Sequence, residues 1–140
     1  MRKVRLPFLF LFLTLGAVIS TSRAEVSDKV TVYYFHTNYR CDTCYKMQLY
    51  TKEAVEKYFA SEIGAGVVEL KVINTDEKEN SHFLKDYELY TKSVVVSLIR
   101  EGNEEKYKNL AKIWAYVGDK DTFYEYIKTE TSAYLAELKE

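Results

Sequence analysis

Proline is almost missing from this sequence. Pro7 is the only one in 140 residues, so no turn beyond it is fixed by a proline ring or a proline cis bond. Cysteine is nearly as scarce. Cys41 and Cys44 are the whole supply, half of what a four-thiolate metal site takes. There is no excess of positive charge: 20 basic against 21 acidic side chains give a formal charge of −1, which argues against nucleic acid as a partner. There is no internal repeat, no low-complexity tract and no linker, so nothing divides the chain into separate units. The apolar run from Phe8 to Ile19 is short of the roughly 20 residues that cross a bilayer.

That run has a recognisable setting. "MRKVRLP" carries Arg2, Lys3 and Arg5 and no acid, and "STSRA" follows the run with small residues at Ser22 and Ala24. Basic, apolar and small-residue regions in that order describe a secretory signal peptide over residues 1–24, with cleavage after Ala24 and no lasting membrane anchor. Removal takes away Arg2, Lys3, Arg5 and Arg23 and no acid, so the formal charge moves from −1 to −5. The expectation is an exported protein, periplasmic or extracellular, in a compartment where neighbouring thiols tend to become a disulfide.

The remainder, residues 25–140, reads as one domain. "KVTVYYFHT" (29–37) is rich in β-branched and aromatic residues and predicts a buried strand. From Cys41 to Ile63 the period becomes helical, with Cys44, Met47, Thr51, Val55, Tyr58 and Phe59 on one face, and Gly64 and Gly66 stop it. "VVELKVIN" (67–74) alternates as a strand. "TDEKENSHFLKDYELY" (75–90) predicts a second helix with Phe83, Leu84 and Tyr87 as its inner face. "SVVVSLIREG" (93–102) is a core strand ending in a turn, and "EEKYKNL" (104–110) its hairpin partner. The rest is helical, with Gly118 and Asp119 as stop and start. The order β-α-β-α-β-β-α predicts an α/β domain: a right-handed parallel unit extended by a hairpin into one mixed sheet of about four strands, with helices on both faces.

The two cysteines stand where the first strand gives way to its helix. Residues three apart at a helix start are close enough for a disulfide that opens and closes with little backbone movement. The helix N-terminus offers free N–H groups and partial positive charge, which favour a thiolate. Cys41, at the end of the loop, is the expected nucleophile, and Cys44, one turn in, the expected resolving thiol.

Strand, C-x-x-C and helix within this element order resemble the thioredoxin fold, over most of the span from Val30 to Tyr126. More narrowly, "YYFHTNYRCDTC" together with "YTKSVVVSLIREG" is similar to small exported thioredoxin-like proteins of the nitrophenyl compound nitroreductase subunit, or ArsF, family. The resemblance implies a redox-active pair at Cys41 and Cys44, with no cofactor and with protein thiols or disulfides as partners. Three departures stand out. The intervening dipeptide is Asp42-Thr43, not Gly-Pro. "YYFH" has no acid where many thioredoxins carry a buried one. The loop that normally holds a cis-proline reads "TKSV", with Ser93 or Val94 at the site, so a trans peptide and a differently shaped groove are expected.

Three further residues are candidates for support. His36, five before Cys41, is placed to carry protons, against the plainer reading of a histidine packed at the strand end. Arg40 either stabilises the Cys41 thiolate or is solvated. Ser93 faces the pair if the loop follows the thioredoxin pattern. His82 is expected to be exposed, Trp114 to anchor the C-terminal helices in the core, and most of the tyrosines to be packing. Three functions fit: a thiol–disulfide oxidoreductase, a binder of soft metals or metalloids using the same thiols, or a non-catalytic subunit whose disulfide is a staple. A two-residue loop gains little from cross-linking, which counts against the last.

Overall fold

A run of six buried residues forms the middle of β1 (Lys29–His36). Its β-branched and aromatic side chains suit a strand covered on both faces, so the sequence shows no polar alternation there. The computed structural model describes residues 28–140, and the expected signal peptide lies outside the described residues. β1 pairs in parallel with β2 (Val68–Asn74) and antiparallel with β3 (Ser93–Arg100), which in turn pairs antiparallel with β4 (Asn103–Asn109). The sheet order is β2-β1-β3-β4, a four-stranded mixed sheet of thioredoxin-like topology. The hairpin between β3 and β4 turns on Glu101 and Gly102, both at positive φ (51° and 80°), as a two-residue turn matched to the strand twist requires.

Alternation along β1 divides two cores. Val30, Val32 and Tyr34 face the main one, with Met47, Ala54 and Val55 from α1 (Asp42–Tyr58) and Phe123, Ile127 and Leu135 from α5 (Lys120–Leu138). Tyr33 and Phe35 face a smaller cluster with Tyr87, Leu89 and Val95. The helical face expected from Cys41 onward is present, but α1 ends at Phe59, whose φ of −128° and ψ of 24° turn the chain into a short helix α2 (Ala60–Gly64). Phe59 is buried in the main core, so its ring stays with the helix face while its backbone leaves the helix.

The second expected helix is corrected. Residues 75–90 hold a single 3-10 turn (Lys78–Asn80) and a one-turn helix α3 (Phe83–Asp86). Side chains in this stretch bond to nearby backbone and compete with a helical ladder: Asn80 Nδ2 donates to the Asn74 carbonyl at 3.1 Å, and Ser81 Oγ to the Lys78 carbonyl at 2.9 Å. Glu88 at φ 51° closes α3. Phe83 and Tyr87 do face the sheet, but Leu84 is 42% exposed and Leu89 is buried in its stead. Among the described residues α1 and α5 pack on one face and this segment packs on the other.

The last stretch follows expectation, with a one-turn helix α4 (Ile113–Tyr116) before α5. Asp119 caps α5, accepting from the backbone N–H of Asp121 and Thr122 at 3.1 Å each. Those bonds, the Thr122 amide first, hold the Asp119 carboxyl below its usual range. A depressed folded pKa stabilises the fold above the unfolded value near 3.9 and loses that contribution as pH falls through the folded value. Asp119→Ala is therefore expected to lower the thermal midpoint at neutral pH, with the difference from the parent shrinking as the pH is taken below about 3.9. Thermal melts across that range check it; a pH-independent difference would contradict the cap.

Candidate active site

Cys41 is the N-cap of α1. Its φ of −97° and ψ of 166° are extended, and its Sγ accepts the backbone N–H of Cys44 at 3.3 Å. A sulfur here takes the place of the Ser or Asp oxygen that commonly caps a helix, so one unpaired amide of the first turn points at it. Cys41 is half-buried, whereas Cys44 is 2% exposed on the helix face that also carries Met47 and Val55. The two form a disulfide with a Cα–Cα distance of 5.0 Å, within the range the bond accepts without backbone movement.

The loop that presents Cys41 is pinned from β2. Asn38 N–H donates to Asp76 Oδ2 at 2.7 Å, and Asn74 Nδ2 donates to Asn38 Oδ1 at 2.8 Å. Inside the loop, Thr37 Oγ1 donates to the Tyr39 carbonyl at 2.9 Å. The end of β2 thus sets where β1 releases the chain into α1.

A residue the sequence did not single out lies beneath the pair. Tyr34 is fully buried and its hydroxyl donates to the Cys44 carbonyl at 2.6 Å. Burial pushes its pKa up to about 12 against the opposing pull of the Arg40 guanidinium, so the phenol keeps its proton and its role as donor. Where the thioredoxin resemblance leads one to look for a buried acid on β1, this chain has a neutral hydroxyl that fixes the first turn of α1. Its signal in the sequence is faint: Tyr34 lies two residues before His36 on a central strand, so the two share a face, but "YY" does not say which tyrosine turns toward the helix.

Each of the three supporting candidates has a partner of its own. Arg40 stacks its guanidinium 4.2 Å from the Tyr45 ring centroid and donates to Gln48 Oε1, both on α1. His36 Nδ1 lies 3.0 Å from the Thr37 carbonyl, and the residue lines a small cavity of about 150 Å³ with Phe35, Leu89, Tyr90 and Lys92. Ser93 is buried opposite Phe35, its hydroxyl donating to the Thr91 carbonyl at 2.8 Å. Every peptide bond among the described residues is trans.

The segment before β3 carries an exposed tyrosine instead. Tyr90 is 94% exposed, and Lys92 Nζ sits 5.7 Å from the Tyr39 ring centroid, two residues before Cys41. Trp114, expected in the core, is 40% exposed; its Nε1 donates to the Lys92 carbonyl at 2.9 Å, tying α4 to this segment. His82 is exposed, with Nδ1 2.7 Å from Asp86 Oδ2. Among the described residues, no three His, Cys, Asp or Glu side chains gather as metal donors, and no helix is long and apolar enough to cross a membrane.

No family model matches the sequence, and no curated protein matches it. Among solved structures the chain is similar to thioredoxin O2 from Arabidopsis thaliana in its oxidised state, at 14% identity over 69% of this chain and 76% of that one, with a TM-score of 0.41. It is similar also to a thioredoxin from Thermus thermophilus, at 13% identity over 64% and 72% with a TM-score of 0.37. A third is a malarial protein, at 16% identity over 58% and 80% with a TM-score of 0.39. At such values these likenesses carry no argument of their own; the fold rests on the strand order and pairing above.

Proposed function

We propose that this chain is an exported thiol–disulfide oxidoreductase in which Cys41 attacks and Cys44 resolves. The observation that carries the reading is the position of Cys41: a half-buried residue whose sulfur caps a helix and receives the Cys44 amide, beside a partner cysteine buried one turn in. In the reductive direction the Cys41 thiolate attacks one sulfur of a client disulfide. The client S–S bond breaks, its other sulfur leaves as a thiolate and takes up a proton, and a mixed disulfide forms. Cys44 then gives up its proton and attacks Cys41 Sγ, releasing the second client sulfur as a thiolate. Two electrons pass from the dithiol to the client, and the 41–44 disulfide remains. The same steps in reverse oxidise a client dithiol.

Export enters through the basic, apolar and small-residue order of residues 1–24, which supports a periplasmic or extracellular setting with protein thiols or disulfides as partners. The narrower likeness to the nitrophenyl compound nitroreductase subunit family rests on the two quoted segments and contributes the redox pair, not a substrate.

The test is the pH dependence of alkylation in the reduced protein. Cys41 is expected to react first, with a rate midpoint below the ~8.5 of a free thiol, in the ~3.5–7.5 range of helix-start thiols. Peptide mapping of the labelled site reads the identity. Labelling at Cys44 first, or a midpoint at the free-thiol value, would overturn the assignment.

A further inference from the structure

We propose that the open edge of β2 pairs antiparallel with the same edge of a second copy, about a twofold axis through Leu70. Among the described residues β2 is an outer strand of the sheet. Val30 N–H donates to the Val67 carbonyl and Thr75 N–H to the His36 carbonyl, each at 2.8 Å. In a parallel ladder that assigns the odd-numbered backbone groups of β2 to β1 and leaves the N–H and C=O of Val68, Leu70 and Val72 pointing outward. Such a row is a template for another strand unless something blunts it. Here no proline and no bulge does so, and an open groove of about 750 Å³ runs along the edge, lined by Gln48, Lys52, Ile63, Val68, Leu70 and Val72. Val72 is 42% exposed.

The side chains name the occupant. With the axis at Leu70, Val68 stands opposite Val72 of the other copy, and Leu70 opposite Leu70, each a pair that exchanges two backbone hydrogen bonds. Glu69 then stands opposite Lys71 in the closer, non-bonded kind of pair, and Lys71 opposite Glu69. An axis at residue 69 would set Glu69 against Glu69, and an axis at residue 71 would set Lys71 against Lys71. Like charges directly opposite disfavour both. Of the three central registers, only the axis at Leu70 brings opposite charges together, as a self-complementary isologous twofold interface requires. Within one copy Glu69 already lies 2.5 Å from Lys29 Nζ and 3.5 Å from Lys71 Nζ, and those lysines hold its carboxyl in the charged form although burial opposes them.

Sedimentation equilibrium over a dilution series reads the result directly. The full chain is expected at twice the chain mass, falling to one chain mass on dilution. Lys71→Glu leaves the Glu69–Lys29 pair intact and is expected at one chain mass throughout, as is Glu69→Lys. An equimolar mixture of the two variants restores opposite charges across the axis and is expected to return to twice the chain mass. Val72→Pro removes one outward N–H without touching the ladder to β1 and is expected to dissociate the pair while circular dichroism stays that of the parent. A parent chain that stays at one chain mass at every concentration would overturn the proposal, including the case where an unrelated extended peptide binds the edge instead. A Lys71→Glu protein that stays at twice the chain mass, or a mixture that does not re-associate, would overturn the register and the pairing with it.

Discussion

Cys44→Ser is expected to accumulate covalent, reductant-sensitive adducts with proteins of the compartment in which the chain resides, while Cys41→Ser accumulates none. The asymmetry follows from placement. Cys41 keeps its position at the helix start, its half-exposed surface and the Cys44 backbone amide when the Cys44 side chain changes, so attack continues. Release needs a second sulfur one turn in, 5.0 Å away between Cα atoms, and serine does not supply it. In Cys41→Ser the remaining sulfur is buried beneath the first turn and has no route to a client. Non-reducing gels of affinity-purified variants, with and without a reductant, measure the difference, and mass spectrometry of the adducts identifies the clients. Equal trapping by both variants would reject the division of roles. No trapping by either would favour a disulfide that serves as a staple.

The second large effect is on stability. Phe123 is fully buried at the start of α5, in the core it shares with Val30, Val32 and Tyr34 of β1, and packs its ring edge-on to Tyr50 of α1 at 5.6 Å. It is the largest side chain that α5 buries completely, and it joins both helices to the sheet. Phe123→Ala removes that apolar surface and leaves a cavity where three elements meet, an expected loss of about 3–5 kcal/mol. Against a total stability of about 5–15 kcal/mol for a single domain, such a loss leaves a much-reduced margin. Trp114→Ala, at an exposed position, is the matched control and is expected to shift stability far less. Urea unfolding with an unchanged slope reads both. A Phe123→Ala loss no larger than that of Trp114→Ala would mean that α5 does not close the main core.

Elements whose own residues carry enough apolar contact were legible in the sequence. β1, β3 and the buried stripe of α1 fall where composition and period place them, and Asp119 marks the start of α5 because a carboxylate before a helical run has amides to cap. Residues 75–90 were not legible for the opposite reason. Their acids and apolar residues imitate a helix, while Asn74, Asn80 and Ser81 satisfy backbone groups locally, and that competition is settled only when the loop after β1 docks on Asn74 and Asp76. Trp114 misled because a lone indole usually means burial; here one end donates to the Lys92 carbonyl and much of the ring is left outside. At the site, the spacing of Cys41 and Cys44 identified the pair, since three residues at a helix start set their distance. Tyr34 was hidden because β1 is buried on both faces, and its partner, the Cys44 carbonyl, is backbone that no sequence pattern displays.

The reduction potential of the 41–44 pair is the measurement that bears most directly on the proposed function. The protein is equilibrated against a series of thiol–disulfide buffers and the oxidised fraction is read by alkylation and mass. A pair that works by exchange is expected to titrate reversibly between about −270 and −120 mV, the span of thioredoxin-like reductants and oxidants. A pair that stays oxidised to below about −300 mV behaves as a structural disulfide and would contradict the account.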